Sequence, residues 1–222
     1  MQTLLPMMRL DKFAKKTSYL SFFVFGIKLK ISFLAVAFFT LVLLLDTAGR
    51  FSFCILAVLV HELGHLAAML LLKTPPKSVA YRLFEIVIED PDRGSRTYRQ
   101  NMLITLAGPC VNLITAVVCT VLFAVFKTEV FLIFCIINLG MACFNLLPVI
   151  SLDGGQALAF TLEKFFSDAT VNTIISILTV VILLPTAVFG ILLLFNSPYN
   201  FSLLFISVYL LLVLVLQKQK VC

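Results

Sequence analysis

Long apolar runs alternate along the chain with shorter polar segments. Each run is close to the length of about 20 residues that a helix needs to cross the hydrocarbon core of a bilayer. The pattern predicts six membrane-spanning helices, at about residues 31–48, 51–72, 102–126, 130–147, 171–195 and 201–216. Pro185 lies inside the fifth run and predicts a kink there. We therefore expect a polytopic, all-α membrane protein.

Two segments outside these runs have a different character. Residues 18–27 are apolar but short, because Lys28 and Lys30 separate them from the first run, and they are either a strand or an interfacial segment. The longest polar stretch, residues 73–101, contains apolar residues that alternate with polar or small ones, in one phase over residues 79–83 and in the opposite phase over residues 84–88. This alternation predicts a small membrane-associated β-hairpin after the second helix, the alternative being an ordinary basic loop.

Composition supports the membrane class. Hydrophobic residues make up 61% of the 222 residues and charged residues only 13%, and the mean hydropathy is +1.11. A soluble domain of this size does not carry so much apolar surface. We expect a single integral-membrane domain over residues 1–222, in contact with the lipid bilayer.

The positions of the basic residues indicate membrane topology rather than binding of a ligand. The formal net charge is +6, but the lysines and arginines lie between the apolar runs, so we expect no nucleic-acid partner. If the N-terminus is cytosolic, the external loops hold only Arg50 and Lys127. The cytosolic segments then hold most of the remaining basic residues, which are Arg9, Lys12, Lys15, Lys16, Lys73, Lys77, Arg82, Arg93, Arg96, Arg99, Lys164, Lys218 and Lys220. The asymmetry predicts that both termini are cytosolic.

The second apolar run carries the most informative polar residues. His61, Glu62 and His65 have the spacing His-Glu-x-x-His, and the chain contains no other histidine. On a helix this spacing places two imidazoles on one face with the carboxylate beside them, as in zinc proteases. Ionisable side chains at membrane depth are costly, and they mark functional sites. The motif and its location together predict proteolysis inside the bilayer.

A third metal ligand must come from elsewhere in the chain, because a catalytic zinc takes three protein ligands and keeps a fourth position for water. Asp153 is the best candidate. It follows the fourth run at the predicted cytosolic end, where Pro148 and the pair Gly154 and Gly155 interrupt regular helix. Irregular backbone at this depth is tolerated where it lines protein or a wet cavity. An aspartate before glycines is also common in ordinary turns.

These motifs resemble those of the site-2 protease family, the intramembrane zinc metalloproteases. The resemblance covers about residues 50–160, which we take as the catalytic core. It consists of His-Glu-x-x-His at residues 61–65, Gly-Pro-x-x-Asn at residues 108–112, and Asn-x-x-Pro…Asp-Gly at residues 145–154. The compact outline is similar to the branch that includes the sporulation factor IV FB protease of endospore-forming bacteria. We find no PDZ insertion and no CBS domain, so we expect no regulation by either.

The resemblance implies a zinc ion held by His61, His65 and Asp153, with Glu62 as the catalytic base. It also implies a metalloendopeptidase of a bacterial cell membrane, which cleaves a membrane-associated or transmembrane protein near the cytosolic face. The branch suggests a sporulation role with a pro-sigma factor as the substrate. A membrane-embedded inhibitor or regulator is a further expected partner.

Several roles stay open on the sequence alone. Asn112 and Asn145 are candidates for contacts to the substrate backbone or to an oxyanion, and hydrogen bonding between helices is the alternative for both. A metal transporter or sensor could use the same ligands, although transport needs successive polar sites along a path. A catalytically inactive protein that holds a membrane partner is a third alternative, which the intact motif residues disfavour.

Overall fold

The computed structural model describes residues 19–24, 27–46, 49–81, 86–196 and 208. It divides into two compact units, Met1–Cys143 and Phe144–Cys222. The first unit contains a small sheet and the helices up to most of the fourth. The second contains an irregular segment and the last two described helices.

Helices dominate the described chain, as the apolar runs predict. Their bounds are α1 Phe33–Leu45, α2 Arg50–Leu71, α3 Tyr98–Phe126, α4 Glu129–Asn145, α5 Asp153–Leu162 and α6 Asp168–Asn196. Of these, α2, α3 and α6 are long and apolar enough to cross a membrane, whereas α1 and α4 are shorter apolar helices.

The prediction of six spans is therefore supported only in part. The second, third and fifth predicted spans correspond to α2, α3 and α6. The first corresponds to α1, which has only 13 residues, because residues 31–32 belong to a strand and the helix ends at Leu45. The predicted sixth span, residues 201–216, lies outside the described residues apart from one position. Pro185 lies within the continuous helix α6, and the kink predicted there stays a prediction.

A four-stranded sheet accompanies the helices and is larger than the predicted hairpin. Its strands, in spatial order, are β1 Tyr19–Val24, β2 Ile27–Ser32, β3 Ser78–Tyr81 and β4 Ile86–Glu89. Strands β3 and β4 form the antiparallel hairpin expected after α2. The all-α prediction missed that β2 pairs parallel to β3 and antiparallel to β1. Strand β2 forms because Lys28 and Lys30 alternate with apolar residues at the period of a strand.

The connection from β4 to α3 is held by polar contacts. Thr97 and Gln100 form a capping box at the start of α3, which satisfies backbone donors at the helix N-terminus. Just before it, the guanidinium of Arg96 forms an ion pair with Asp90, and both side chains are largely buried. The amide of Asn101 donates to the carbonyl oxygen of Arg93. These contacts fix the beginning of α3, the helix that packs most extensively against α2.

Candidate metal centre

The two histidines lie together on the buried face of α2. His61 is 4% exposed and His65 is 8% exposed, and the face they share also includes Ala57, Gly64 and Met69. Their rings meet edge to face, with an interplanar angle of 85°. The two Nε2 atoms lie 3.2 Å apart. The Nε2 atoms of both rings therefore converge on the same position.

This nitrogen separation fits a zinc ion. Two imidazole nitrogens bound to one tetrahedral zinc at about 2.0–2.1 Å lie about 3.3–3.4 Å from each other. The observed 3.2 Å is close to that value. The pair therefore has the spacing of two ligands of one metal ion.

A backbone carbonyl of α3 orients the second histidine. Nδ1 of His65 lies 2.8 Å from the carbonyl oxygen of Ile104. A carbonyl can only accept, so Nδ1 carries the hydrogen and donates it. Nε2 then keeps its lone pair, which is the state that binds a metal, and such a contact is typical of histidine ligands.

Two glycines let α2 and α3 approach closely at this level. A Cβ atom on Gly108 would lie 2.5 Å from Nε2 of His65 and 2.9 Å from Cε1 of His61. A Cβ atom on Gly64 would lie 2.7 Å from the carbonyl oxygen of Ala107. Small residues at such positions allow helix backbones to come together in membranes. Gly108 thus leaves open the space beside both imidazoles.

Glu62 follows His61 directly on α2 and lies partly exposed beside the buried face. The charge of Glu62 affects the pKa of Tyr81, which lies on β3. Burial raises the pKa of the Tyr81 hydroxyl, and the carboxylate of Glu62 raises it further. This relation between a strand and the His-Glu-x-x-His helix could not be inferred from the spacing of either segment.

Asp153 belongs to the second unit, where it is the first residue of α5. Helix α4 ends at Asn145, and residues 146–152 form turns, as the helix-breaking residues predict. The amide of Ile150 donates to Oγ1 of Thr179, which is fully buried on α6. Val149, Leu152 and Leu183 form a small apolar core beneath the segment.

The glycine pair after Asp153 is required by close backbone contacts. A Cβ atom on Gly154 would collide with the carbonyl of Leu146, and one on Gly155 would collide with the carbonyl of Val149. The segment therefore folds back tightly onto the start of α5. Both glycines serve the backbone that carries the carboxylate.

The two asparagines differ in their surroundings. Asn112 is fully buried on α3, one turn after Gly108. Neither polar atom of its side chain has a hydrogen-bond partner among the described residues. The interhelical hydrogen bond considered for Asn112 is therefore not formed in the described part of the chain. Asn145 is the last residue of α4 and is partly buried.

The sequence analysis missed one contributor to the site, the carbonyl of Ile104, and did not relate Tyr81 to Glu62. The carbonyl of Ile104 belongs to the backbone, which no motif identifies. The one sequence feature that could have indicated it is the position of Ile104, one helical turn before Gly108. Tyr81 was predicted only as a strand residue, although the alternation placed it in phase with Val79.

Comparisons with known proteins agree with this geometry. The family model described as Peptidase family M50 matches residues 127–186. A second model, of a family described as a zincin peptidase, matches residues 54–153. Together they cover the histidine pair, Asp153, Asn112 and Asn145. These matches support the resemblance to site-2 metalloproteases over residues 54–186 of this chain.

Two individual proteins show how far the similarity extends. Stage IV sporulation protein FB of Bacillus subtilis (strain 168) is 30% identical over 112 residues, which are 50% of this chain and 39% of that protein. The chain thus matches about two fifths of the length of that relative. The solved Site-2 Protease from Methanocaldococcus jannaschii has the same fold, with a TM-score of 0.62 at 21% identity over 87% of this chain and 92% of the other.

Proposed function

We propose that this protein is an intramembrane zinc endopeptidase, which hydrolyses a peptide bond of a membrane-associated or transmembrane protein near the cytosolic face. The observation that carries the proposal is the histidine pair. Two Nε2 atoms converge at 3.2 Å on a helix apolar enough to cross a membrane. The carbonyl of Ile104 orients one ring, and Gly108 leaves room beside both. The match to the Peptidase family M50 model and the similarity to Stage IV sporulation protein FB support the same activity.

Asp153 is the proposed third zinc ligand. With His61 and His65 it would complete a group of three side chains able to hold a metal ion. Two imidazoles and one carboxylate are a common donor set for catalytic zinc, and they leave the fourth position for water. A transport path needs successive sites, and the described residues offer this one group, so transport is not favoured.

The residues of α2 supply the proton transfers of the proposed reaction. When bound, zinc lowers the pKa of water towards about 7 and polarises the scissile carbonyl. Glu62 lies next to a ligand in sequence and accepts the proton of the attacking water. It then returns that proton to the leaving amine. The carbonyl of Ile104 accepts the Nδ1 hydrogen of His65, so Nε2 is the nitrogen of this ring that would bind the zinc.

Asn112 and Asn145 are proposed to hold the substrate backbone. Burying an amide without a hydrogen bond is costly, and Asn112 has both polar atoms buried without a partner among the described residues. An extended peptide would supply one donor and one acceptor, which matches the two atoms of the amide. The substrate must be unwound for this, so helix-breaking residues near its scissile bond should favour cleavage.

Topology and biological role complete the proposal. Both termini are proposed to be cytosolic, because the basic residues concentrate in the segments that would then face the cytosol. The similarity to a stage IV sporulation protein supports a role in sporulation, with a pro-sigma factor as the proposed substrate. A membrane-embedded regulator is a further proposed partner.

The test is coexpression with membrane-tethered candidate substrates, including a pro-sigma factor, and measurement of product size. Glu62→Gln should abolish cleavage while the purified protein keeps its zinc, because the substitution removes the base and leaves the ligands. Glu129→Gln, the same substitution at an exposed position on α4, should cleave like wild type. Cleavage by Glu62→Gln at the wild-type rate would show that the mechanism is wrong.

A further inference from the structure

The first turn of α3 carries a polar side chain on the buried face of that helix. Asn101 is 7% exposed, and it lies one helical turn before Ile104, whose carbonyl oxygen is 2.8 Å from Nδ1 of His65. Both Asn101 and Ile104 belong to the buried face of α3, because residues three apart on a helix are neighbours. What holds Asn101 in place therefore also holds the turn that carries the Ile104 carbonyl.

The segment before α3 holds the Asn101 amide by both of its polar atoms. Nδ2 of Asn101 donates to the carbonyl oxygen of Arg93 at 3.0 Å, and Oδ1 accepts from Nη1 of Arg96 at 3.4 Å. The guanidinium is in turn paired with the carboxylate of Asp90, and the two side chains are only 2% and 10% exposed. We call Asp90, Arg93, Arg96 and Asn101 the polar anchor. Because Asp90 directly follows β4, the polar anchor joins the start of α3 to the sheet.

The contact between the carbonyl and the imidazole needs such a restraint. Gly64 and Gly108 let α2 and α3 pack closely, and close packing limits the distance between two helices. A hydrogen bond also needs its donor and acceptor aligned and about 2.7–3.2 Å apart. Sliding α3 by about 1 Å along α2 would take the present 2.8 Å contact out of that range. The polar anchor opposes this movement, because its own hydrogen bonds are directional.

We propose that Asn101 is a positioning residue for His65, which it keeps in the metal-binding tautomer through the carbonyl of Ile104, and that Arg96 contributes by holding the Asn101 amide. The inference rests on the proposed function, because it concerns a ligand of the proposed zinc ion. A contact that orients a histidine ligand tunes the affinity of a metal site. Here the orienting group is a backbone carbonyl, so its position depends on the side chains that fix α3.

The first experiment observes the histidine rings directly by NMR of isotope-labelled histidines. The chain has two histidines, and a His61→Gln variant assigns their signals. In zinc-free protein at about pH 8.5, where an ordinary imidazole is neutral, the wild-type His65 ring should be a single tautomer with its hydrogen on Nδ1. Asn101→Ala should move the ring-nitrogen signals of His65 towards those of a mixture of tautomers. Its zinc affinity, measured by competition with a chelator, should fall about 10-fold.

Gln100→Ala is the matched control, because it also removes an amide side chain from the first turn of α3. The Gln100 oxygen accepts from the backbone amide and the hydroxyl of Thr97 in the capping box. Loss of a cap should lower the thermal unfolding temperature. The tautomer of His65 and the zinc affinity should nevertheless stay as in wild type. This control separates general loosening of the helix start from loss of the polar anchor.

A second experiment tests the contribution of Arg96. Arg96→Lys keeps a positive charge beside Asp90 but loses the planar group that contacts two partners at once. It should change the His65 signals and the zinc affinity in the same direction as Asn101→Ala, and by less. The double variant should lose no more zinc affinity than Asn101→Ala alone, since both substitutions act through one amide. Additive losses would overturn the proposed anchor.

Two further outcomes would overturn the proposal. One is a single His65 tautomer with wild-type zinc affinity in Asn101→Ala. The other is an equal change of both quantities in Gln100→Ala. If Asn101→Ala does not yield folded protein, Arg96→Lys tests the proposal by the same signals, and a wild-type His65 spectrum would then overturn it.

The positioning of His65 and the proposed function can fail separately. If the His65 signals and the zinc affinity respond to Asn101 but no cleavage depends on Glu62, the proposed function is wrong and the positioning of His65 stands. If cleavage depends on Glu62 while His65 is indifferent to Asn101, only the positioning role is wrong.

Discussion

The histidine pair and the aspartate segment present candidate ligands in two different ways. His61 and His65 project from a regular helix, and the i, i+4 spacing alone brings their rings to one face. Asp153 follows seven residues of irregular backbone and stands at the first position of a short helix. Each arrangement has its own glycines. Gly108 leaves space for side chains, and Gly154 and Gly155 leave space for main-chain carbonyls.

This difference determines what each region tolerates. A helix satisfies its own backbone hydrogen bonds, so the histidine pair should depend mainly on the volume available beside α2. The irregular segment must find partners for its amides elsewhere, as Ile150 does with Thr179. Such backbone is tolerated at membrane depth only when it is satisfied in this way. Added side-chain volume should therefore be harmful in both regions. Loss of a single side-chain hydroxyl should destabilise only the irregular segment.

The largest effect is expected from Asp153→Asn, which asks whether the two regions serve one metal ion. Substitutions outside the direct ligands typically cost about 10- to 100-fold in metal affinity, so loss of a ligand should cost at least about 100-fold. Zinc content of the purified protein should fall and cleavage should drop to background. Asp168→Asn, at an exposed position at the start of α6, should keep both. Full zinc content in Asp153→Asn would mean that the third ligand lies elsewhere.

Gly108→Ala should come next, because the added methyl group would overlap the rings of both histidines. We expect zinc affinity to fall about 10- to 100-fold, like other substitutions that displace a ligand without removing it. Competition with a chelator would measure this. Gly140→Ala is the control, since a Cβ atom on Gly140 meets nothing within 4 Å. Equal zinc affinity of Gly108→Ala and wild type would contradict the packing of α3 against the histidine pair.

In the other region, Gly154→Ala should destabilise the protein by about 3 kcal/mol, since overpacking against rigid backbone costs about 1–3 kcal/mol or more. The new Cβ atom would collide with the carbonyl of Leu146, which cannot rotate away as a side chain can. Thermal unfolding in detergent would measure the loss. Gly94→Ala, where a Cβ atom meets nothing within 4 Å, should be unchanged. If both variants unfold at the same temperature, the irregular segment does not fold back tightly onto the start of α5.

The regular parts of the molecule were the most predictable from sequence. The apolar runs located α2, α3 and α6, and the alternation over residues 79–88 located the hairpin. The positions of His61 and His65 on one helix face follow from 3.6 residues per turn. The break after Asn145 follows from Pro148 and the glycine pair. In each case, local chemistry decides the structure.

Contacts between distant segments were not predictable. The parallel pairing of β2 with β3 joins residues about fifty positions apart, and no local pattern specifies it. For the same reason residues 18–27 were left open, β2 was not predicted, and α1 was predicted to begin too early. The carbonyl of Ile104 approaches His65 from α3, so it could be found only in three dimensions.

The smallest effect is expected from removal of the Thr179 hydroxyl, which accepts a hydrogen bond from the irregular segment. Thr179→Val keeps the shape of the side chain but removes the acceptor of the Ile150 amide. A buried donor left without a partner costs about 1–3 kcal/mol, and we expect the lower end, because the segment can relax. Thr173→Val is the matched control on the same helix, since the exposed Thr173 hydroxyl donates to the carbonyl of Ala169 within α6. Thermal unfolding should separate the two variants, while the zinc affinity of both should stay close to that of wild type. Equal stability of the two would show that the segment does not need Thr179. It would then resemble the histidine helix in depending on volume alone.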